Sequence, residues 1–273
     1  MNLWEAVVLG AVQGLSEFLP ISSSGHLILI PWIFGWKDPG LAFDVFLHLG
    51  TALALILYFF GDLWRIFTAG LASLWERRVG FEIDRLLFWW IFIGTLPAVV
   101  AGFLFGDYIE AHFRSPLLVA FFLASVGFLI FWMDWQYPST RTIEEMTGLE
   151  AFLIGLAQAC ALIPGVSRSG STLAMARRLG FNRHAAARFS FLLSVPIVFG
   201  ALALEGRKLV GHLGGEVGLD YMVGGLLSSF IVGILSIHFL LQFLKQSSLM
   251  VFAWYRLMVA AGIVMMSLFF NRS

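Results

Sequence analysis

Residues 10–26 read GAVQGLSEFLPISSSGH, and residues 155–171, 145 positions further along the chain, read GLAQACALIPGVSRSGS. The glycine and glutamine near the start of each stretch coincide, as do the Ser-x-Ser-Gly residues near its end. This agreement indicates an internal duplication rather than chance similarity. Each copy is an apolar helical segment that is broken by a proline and followed by hydroxyl side chains and a glycine.

The composition places the chain in a membrane. Hydrophobic residues make up 59% of it and charged residues only 12%, against about 25% charged residues in soluble domains. The 17 basic and 17 acidic residues balance, which excludes a globally basic nucleic-acid-binding protein. Cys160 is the single cysteine, so one chain holds neither a disulfide framework nor a thiolate metal site.

The lengths of the apolar segments predict which of them cross the bilayer. A hydrocarbon core about 30 Å thick needs about 20 apolar residues in a helix. Residues 3–19 end at Pro20 and residues 27–34 are too short to cross, so this pair is predicted to enter the membrane and return on the same side. Residues 150–163 and 171–179 form a second such pair. Full crossings are predicted at residues 42–60, 86–105, 116–133, 185–204, 221–244 and 250–270.

The predicted fold class is an all-α integral membrane protein with an inverted-topology repeat, in which each half is a re-entrant helix pair plus three transmembrane helices. The whole chain, 1–273, forms one membrane domain, with residues 1–134 as the first repeat and 148–273 as the second. An odd number of crossings per half inverts the second copy. Arginines flank the connections near residues 65–85 and 177–188, which assigns those ends to the cytoplasm. Broken helices of inverted repeats meet near the bilayer midplane and build polar sites there, so the two breaks should face each other across a cavity.

A carboxylate and an amide lie on one face of the first broken helix. Gln13 and Glu17 are four residues apart, which places them on the same side of a helix. A carboxylate at membrane depth costs at least about 2.5 kcal/mol, so it is expected to be functional and to have a partner. The alternative is that Glu17 only neutralises Arg168 or lies at a water boundary.

Both breaks predict anion binding at a helix start. Ser22, Ser23, Ser24 and Gly25 precede His26 at the first, and hydroxyls and unpaired backbone N–H groups of this kind bind anions. Alone, such a run is more often an ordinary helix cap. The second break repeats the pattern and adds a guanidinium, which suits phosphate oxygens; its residues are Gly165, Ser167, Arg168, Ser169, Gly170 and Thr172.

These residues together form a phosphate site with groups for acid–base or nucleophilic chemistry. Because the chain has little area outside the membrane, the phosphate is expected to belong to a lipid. Asp44 and His48 share a face of the next helix. They either support the site or only mark the membrane boundary.

The chain resembles a known family, the undecaprenyl-pyrophosphate phosphatases of the bacterial cell envelope, also called bacitracin-resistance proteins. The resemblance rests on residues 13–26, QGLSEFLPISSSGH, and on residues 164–172, PGVSRSGST. These match the family's Glu/Gln-x-x-x-Glu motif with its following Ser-Ser-x-Gly-His, and its Pro-Gly-x-Ser-Arg-Ser-x-x-Thr motif. Residues 43–51, FDVFLHLGT, are similar too, and the length and order of the spans agree from end to end.

The resemblance implies hydrolysis of the C55 isoprenyl diphosphate to the monophosphate, which recycles the lipid carrier for cell-wall synthesis. It also implies dependence on a divalent cation, Mg²⁺ or Ca²⁺, and a bacterial inner-membrane location with a site open to the outer, periplasmic face. Gln13 and Glu17 carry over as the metal-binding or acid–base pair, although Gln13 brings no charge where some members have a glutamate. Ser23 and His26 carry over as catalytic candidates. Arg168 carries over as the phosphate clamp, together with Ser167, Ser169 and Thr172.

The expected reaction is in-line attack on the terminal phosphorus. Ser23 or His26 is the nucleophile, or His26 activates another group, and Arg168 stabilises the developing charge with the two helix starts. The competing class is a lipid-phosphate flippase or anion transporter, in which His26 and Glu17 would couple protons to transport. The sequence is compatible with a homodimer but does not decide the oligomeric state.

Overall fold

The protein is described by a computed structural model covering residues 1–37, 40–137, 140–210 and 218–270. Within these ranges the regular structure is helical, apart from one isolated bridge between Arg141 and Phe181. A short 3₁₀ turn, Ile143–Glu145, precedes the second half. The helices are α1 (Leu3–Phe18), α2 (Ser23–Phe34), α3 (Leu41–Trp75), α4 (Ile83–His112), α5 (Pro116–Gln136), α6 (Gly148–Cys160), α7 (Arg168–Arg178), α8 (Arg183–Val210), α9 (Leu219–Phe243) and α10 (Met250–Phe270).

The predicted class, an all-helical integral membrane protein, is confirmed. In the described ranges six helices are long and apolar enough to cross a bilayer, namely α3, α4, α5, α8, α9 and α10. The two pairs of short helices, α1 with α2 and α6 with α7, lie where the sequence places the broken segments.

The first crossing helix is longer than predicted. α3 continues to Trp75 instead of ending at residue 60, and only its backbone at Phe59 leaves helical geometry (φ −101°, ψ 17°). The predicted end is wrong because the charges beyond it are accommodated within the helix. Asp62 accepts hydrogen bonds from Arg65, one turn along, and from Arg188 of α8, at 2.7 and 3.1 Å.

The two breaks share the same local backbone geometry. Ser22 and Ser167, which occupy equivalent positions, have φ values of 77° and 72°, a conformation that non-glycine residues rarely adopt. Each is the N-cap of its helix, and its hydroxyl accepts a hydrogen bond from the N–H of Gly25 or Gly170, at 3.4 and 3.1 Å. The two breaks therefore share a strained, capped turn, while the division of the chain into repeats 1–134 and 148–273 and their opposite orientation in the membrane stay predictions.

Equivalent glycines dock the two short broken helices. α1 packs against α9, and α6 packs against α4. A Cβ added to Gly10 would collide with the carbonyl oxygen of Gly225, and one added to Gly155 would collide with that of Gly94. The close approach excludes larger side chains, and it locks a helix of each half against a crossing helix of the other.

A buried ion cluster joins several helix ends at the C-terminal end of α7, the opposite end from the second break. The carboxylate of Asp134 accepts hydrogen bonds from Arg177 at 2.8 Å, from Arg183 at 2.7 Å and from the backbone N–H of Leu249 at 2.9 Å. Arg177 is 1% exposed. This cluster ties α5, α7 and α8 to the start of α10.

Candidate active site

The site forms where the two breaks touch, and the carboxylate of Glu17 is its centre. Arg168 Nη2 donates a hydrogen bond to Glu17 Oε1 at 2.8 Å, with the two side chains 13% and 10% exposed. Ser23 Oγ donates to Glu17 Oε2 at 2.7 Å. The last turn of α1 thus presents one carboxylate to the first residues of both α2 and α7.

Gln13 supports this carboxylate from one turn earlier in α1. Its Nε2 donates to Glu17 Oε2 at 3.2 Å and to Thr51 Oγ1 of α3 at 3.4 Å. Its Oε1 is buried and has no hydrogen-bond partner in the part of the chain that the structure describes. A buried carbonyl oxygen without a partner is costly, and Gln13 itself is fully buried and is not among the residues that line the cavity described below.

A cavity of about 410 Å³ opens at the point where the breaks meet. Its polar end consists of Glu17, Ser23, Ser24, Ser167 and Arg168. Its apolar wall comes mainly from α2, α4, α8 and the turn after α6 and includes Leu27, Ile28, Ile109, Leu162, Ile197, Val198, Ala201 and Leu202. One cavity therefore offers both charged and hydroxyl groups and a surface suited to a hydrocarbon.

Asp44 and His48 of α3 line the same cavity. The Nδ1 atom of His48 lies 2.7 Å from the backbone carbonyl oxygen of Asp44, and its Nε2 lies 3.8 Å from Glu17 Oε2. A carbonyl only accepts hydrogen bonds, so Nδ1 carries the proton and the opposite nitrogen faces the carboxylate. Both residues are therefore next to the site, and their supporting role stays a prediction.

His26 occupies a different place from the one expected of a nucleophile. Its side chain is buried and is not among the groups lining the cavity. Nδ1 lies 2.7 Å from the carbonyl oxygen of Ser22, and Nε2 lies 2.8 Å from the hydroxyl of Tyr255. Both ring nitrogens are therefore engaged, and the catalytic role of His26 stays a prediction.

Several residues that the sequence predicts to bind phosphate do not line the cavity. They shape the two breaks. Ser22, Ser169 and Thr172 are at most 1% exposed. Ser169 Oγ donates to the carbonyl oxygen of Leu19 at 3.0 Å, which bonds the second break directly to the first. The hydroxyl of Thr172 pairs with that of Ser190 of α8 at 2.6 Å. Their roles as direct phosphate ligands stay predictions, as do those of Gly25 and Gly170, whose N–H groups serve the caps.

Gly165 has a clear conformational role at the second break. Its φ is +93°, and an added Cβ would lie 2.7 Å from the carbonyl oxygen of Val119 on α5. Only glycine combines this backbone geometry with so close an approach. The residue lets the chain reverse between α6 and α7, so that Ser167 and Arg168 reach the cavity.

Sequence reasoning missed two adjacent residues of α10 that contact both breaks. Tyr255 bonds to His26 of the first break, as described above. Arg256 is 0% exposed and donates to backbone carbonyl oxygens of Pro20, Phe122, Leu123, Gly165 and Val166. The available signal was a lone charge inside the predicted crossing 250–270, because charges at that depth are rarely incidental.

Comparison with known proteins places this site in a family. The family described as "Bacitracin resistance protein BacA" matches residues 6–262. The chain is 44% identical over 264 residues to the undecaprenyl-diphosphatase of Moorella thermoacetica, covering 97% of each chain. It is 45% identical over 279 residues to that of Thermomicrobium roseum, covering 97% of this chain and 98% of the relative. For the enzyme of Pelotomaculum thermopropionicum the identity is 42% over 267 residues, covering 98% and 97%. The chain therefore belongs to the bacitracin resistance protein BacA family.

Proposed function

We propose that this protein hydrolyses undecaprenyl diphosphate to undecaprenyl monophosphate and inorganic phosphate, and so recycles the lipid carrier for cell-wall synthesis. The observation that carries the proposal is the junction of Arg168, Glu17 and Ser23 at the polar end of a cavity with an apolar wall. Relatives at 42–45% identity over nearly the whole chain carry the name undecaprenyl-diphosphatase. A charged head suits the polar groups of the cavity, and a hydrocarbon tail suits its apolar wall.

Ser23 is the nucleophile in this proposal. Its hydroxyl lines the cavity and already donates to Glu17 at 2.7 Å, so the carboxylate can take the proton as Oγ attacks the terminal phosphorus. The bond to the bridging oxygen breaks as the new bond forms, and undecaprenyl monophosphate leaves. Glu17 passes its proton to the leaving undecaprenyl monophosphate. Water then attacks the phosphoserine, Glu17 takes a proton from this water, and it gives that proton to Ser23 Oγ as the Oγ–P bond breaks and inorganic phosphate leaves.

Arg168 supplies the charge stabilisation. A guanidinium presents a planar fork of donors to phosphate oxygens, and this one is held at the cavity by Glu17 and by the carbonyl oxygen of Ser190 at 3.4 Å. The first backbone N–H groups of α2 and α7 lack partners within their own helices. These donors and the positive ends of the two helix dipoles also stabilise negative charge on the phosphate.

The isoprenyl tail lies along the apolar wall and continues into the lipid. A C55 chain is far larger than the cavity of about 410 Å³, so only the head and the nearest part of the tail are enclosed. Ile109 of α4 and Ile197, Val198 and Leu202 of α8 are the side chains that this part would contact.

The proposal includes a divalent cation, Mg²⁺ or Ca²⁺, at this site, and the residues present are suited to bind one. The unpartnered Oε1 of Gln13 and the carboxylate of Glu17 offer hard oxygen donors, the type that both ions prefer. The described residues contain no group of three or more His, Cys, Asp or Glu that could hold a metal. Substrate phosphate oxygens and water would therefore complete the shell, and the bound ion would neutralise charge on the diphosphate.

The proposal also specifies the membrane in which the protein lies and the face to which its cavity opens. The arginine-rich connections orient the chain in the bacterial inner membrane, and the cavity then opens to the periplasmic face, where Arg114 follows α4 and lines the cavity. Exposed aromatic residues cover the membrane-facing helices. A homodimer is compatible with this surface.

Phosphate release by the purified protein in detergent tests the function. Wild type should release inorganic phosphate from undecaprenyl diphosphate, and Ser23→Ala should not. A chelator should lower the rate, and added Mg²⁺ or Ca²⁺ should restore it. A flippase or anion carrier would release no phosphate in detergent, because transport needs a sealed membrane; that outcome would refute the proposal.

A further inference from the structure

The buried guanidinium of Arg256 lies where the two breaks approach each other. Nη1 donates to the carbonyl oxygen of Pro20 in the first break at 3.1 Å. Nη2 donates to those of Gly165 and Val166 in the second break, at 2.8 and 3.2 Å. One planar group of α10 therefore fixes the carbonyl ends of both breaks relative to each other.

The need for such a group follows from the breaks themselves. A non-helical break at membrane depth leaves backbone carbonyl oxygens without helical partners, and lipid cannot satisfy them. Arg256 satisfies three of these oxygens and also bonds to those of Phe122 and Leu123 on α5, at 3.3 and 3.1 Å. No carboxylate of the described residues forms a salt bridge with it, so the bound oxygens are what hold this charge in place.

The carbonyls that Arg256 holds are close in the chain to the reacting groups. Pro20 precedes Ser23 by three residues, and Val166 precedes Arg168 by two. Two other described contacts join the breaks, the Arg168–Glu17 ion pair and the Ser169–Leu19 hydrogen bond. Arg256 differs from these two contacts because it belongs to neither break and bonds to the backbone of both.

We propose that Arg256 is a positioning residue that sets the distance between the two breaks, so that Arg168 remains aligned with Glu17 and Ser23. The expected effect of Arg256 on turnover rests on the proposed function, whereas its effect on the geometry of the breaks does not depend on any activity. Because two other contacts persist without it, its loss loosens the alignment without separating the breaks. Misplacement of reacting groups by about 1 Å costs roughly 100-fold in rate.

The test compares Arg256→Met with Arg177→Met. Arg177 is the matched control because it is also a buried arginine, but it bonds to Asp134 and to the carbonyl oxygens of Phe181 and Tyr137, away from both breaks. Per folded molecule, Arg256→Met should lower phosphate release roughly 100-fold. Affinity for a methylene-bridged isoprenyl diphosphonate, which cannot be hydrolysed, should change by less than about threefold. Arg177→Met should lower thermal stability but leave turnover per folded molecule near that of wild type.

A second readout needs no catalysis. Backbone hydrogen exchange at residues 19–23 and 164–168 should accelerate at least about tenfold in Arg256→Met, because the carbonyls there lose their common partner; Arg177→Met should leave exchange there unchanged. Arg256→Lys should restore part of the turnover, because an ammonium keeps the charge and loses the planar fork. If Arg256→Met does not fold, Arg256→Lys carries the test, with a turnover at least tenfold below wild type at unchanged diphosphonate affinity.

Wild-type turnover in folded Arg256→Met or Arg256→Lys would overturn the proposal, and so would a parallel loss of diphosphonate affinity. Unchanged exchange at both breaks would do so as well. If wild type itself released no phosphate, the proposed function would fail, while the exchange measurement would still decide whether Arg256 holds the breaks together.

Discussion

Replacing Glu17 by Gln tests the centre of the site with the smallest change in shape. The glutamine keeps the size of the side chain and one carbonyl oxygen but loses the negative charge. In the native structure that charge accepts hydrogen bonds from Arg168 at 2.8 Å and from Ser23 at 2.7 Å. The variant therefore loses the ion pair and the group that takes the proton of the nucleophile.

The expected loss can be worked from these two contacts. General-base catalysis contributes about 10²- to 10⁴-fold in rate, so phosphate release should fall by at least about 100-fold, or about 3 kcal/mol of barrier at 1.36 kcal/mol per factor of ten. Hydrogen bonds to charged groups contribute about 1.5–3 kcal/mol to stability. Because the glutamine oxygen still accepts one of these bonds, the free energy of unfolding should fall by only about 1–2 kcal/mol.

The assay is phosphate release from undecaprenyl diphosphate by protein that elutes as a folded species in detergent, with thermal stability followed by tryptophan fluorescence. Glu5→Gln is the matched control, because Glu5 lies in the same helix and only caps its first turn with Asn2. The control should keep wild-type turnover. A Glu17→Gln enzyme with turnover within threefold of wild type would refute the role of this carboxylate as proton acceptor.

Three further predictions follow from the same geometry. Ser23→Ala should abolish measurable phosphate release, whereas Tyr255→Phe, which removes only the hydroxyl bonded to His26, should lower it by less than about tenfold; full loss in the second variant and not the first would assign the chemistry to the histidine. Gly165→Ala should lower the melting temperature by several degrees, since its φ is +93° and an added Cβ would meet Val119, while Gly61→Ala, which has open space around it, should not; equal melting temperatures would contradict the packing argument. Gln13→Leu should raise the concentration of Mg²⁺ or Ca²⁺ needed for half-maximal turnover, because it removes the unpartnered oxygen; an unchanged requirement measured after chelation would exclude this atom as a ligand.

The duplicated motif predicted the two breaks because the same residue types recur at equivalent positions. The equivalence of Ser22 and Ser167 was readable from the aligned letters, and the structure gives the two residues matching φ values and caps. The same alignment placed Glu17 and Arg168 in different halves. Their 2.8 Å contact is observed, and the membrane cost of an isolated charge was the physical reason to expect partners for both.

Other features depended on contacts that no local pattern encodes. The sequence places His26 in a catalytic motif, yet its ring lies against Tyr255, 229 residues away in the chain. Arg256 bonds to backbone carbonyls, and every residue has a carbonyl, so no partner side chain marked its role. The end of α3 was missed because Asp62 and Arg65 read as the end of an apolar segment, although they pair within the helix.

The central claim is that chemistry occurs where the two breaks touch, with Arg168 of one acting on a phosphate bound beside Glu17 and Ser23 of the other. The most direct measurement is phosphate release from undecaprenyl diphosphate by folded Arg168→Ala in detergent. The account predicts a protein that still folds and releases phosphate at least about 1,000-fold more slowly than wild type, in line with the loss of one arginine that stabilises a phosphoryl transition state. Near-normal release by that variant would contradict it.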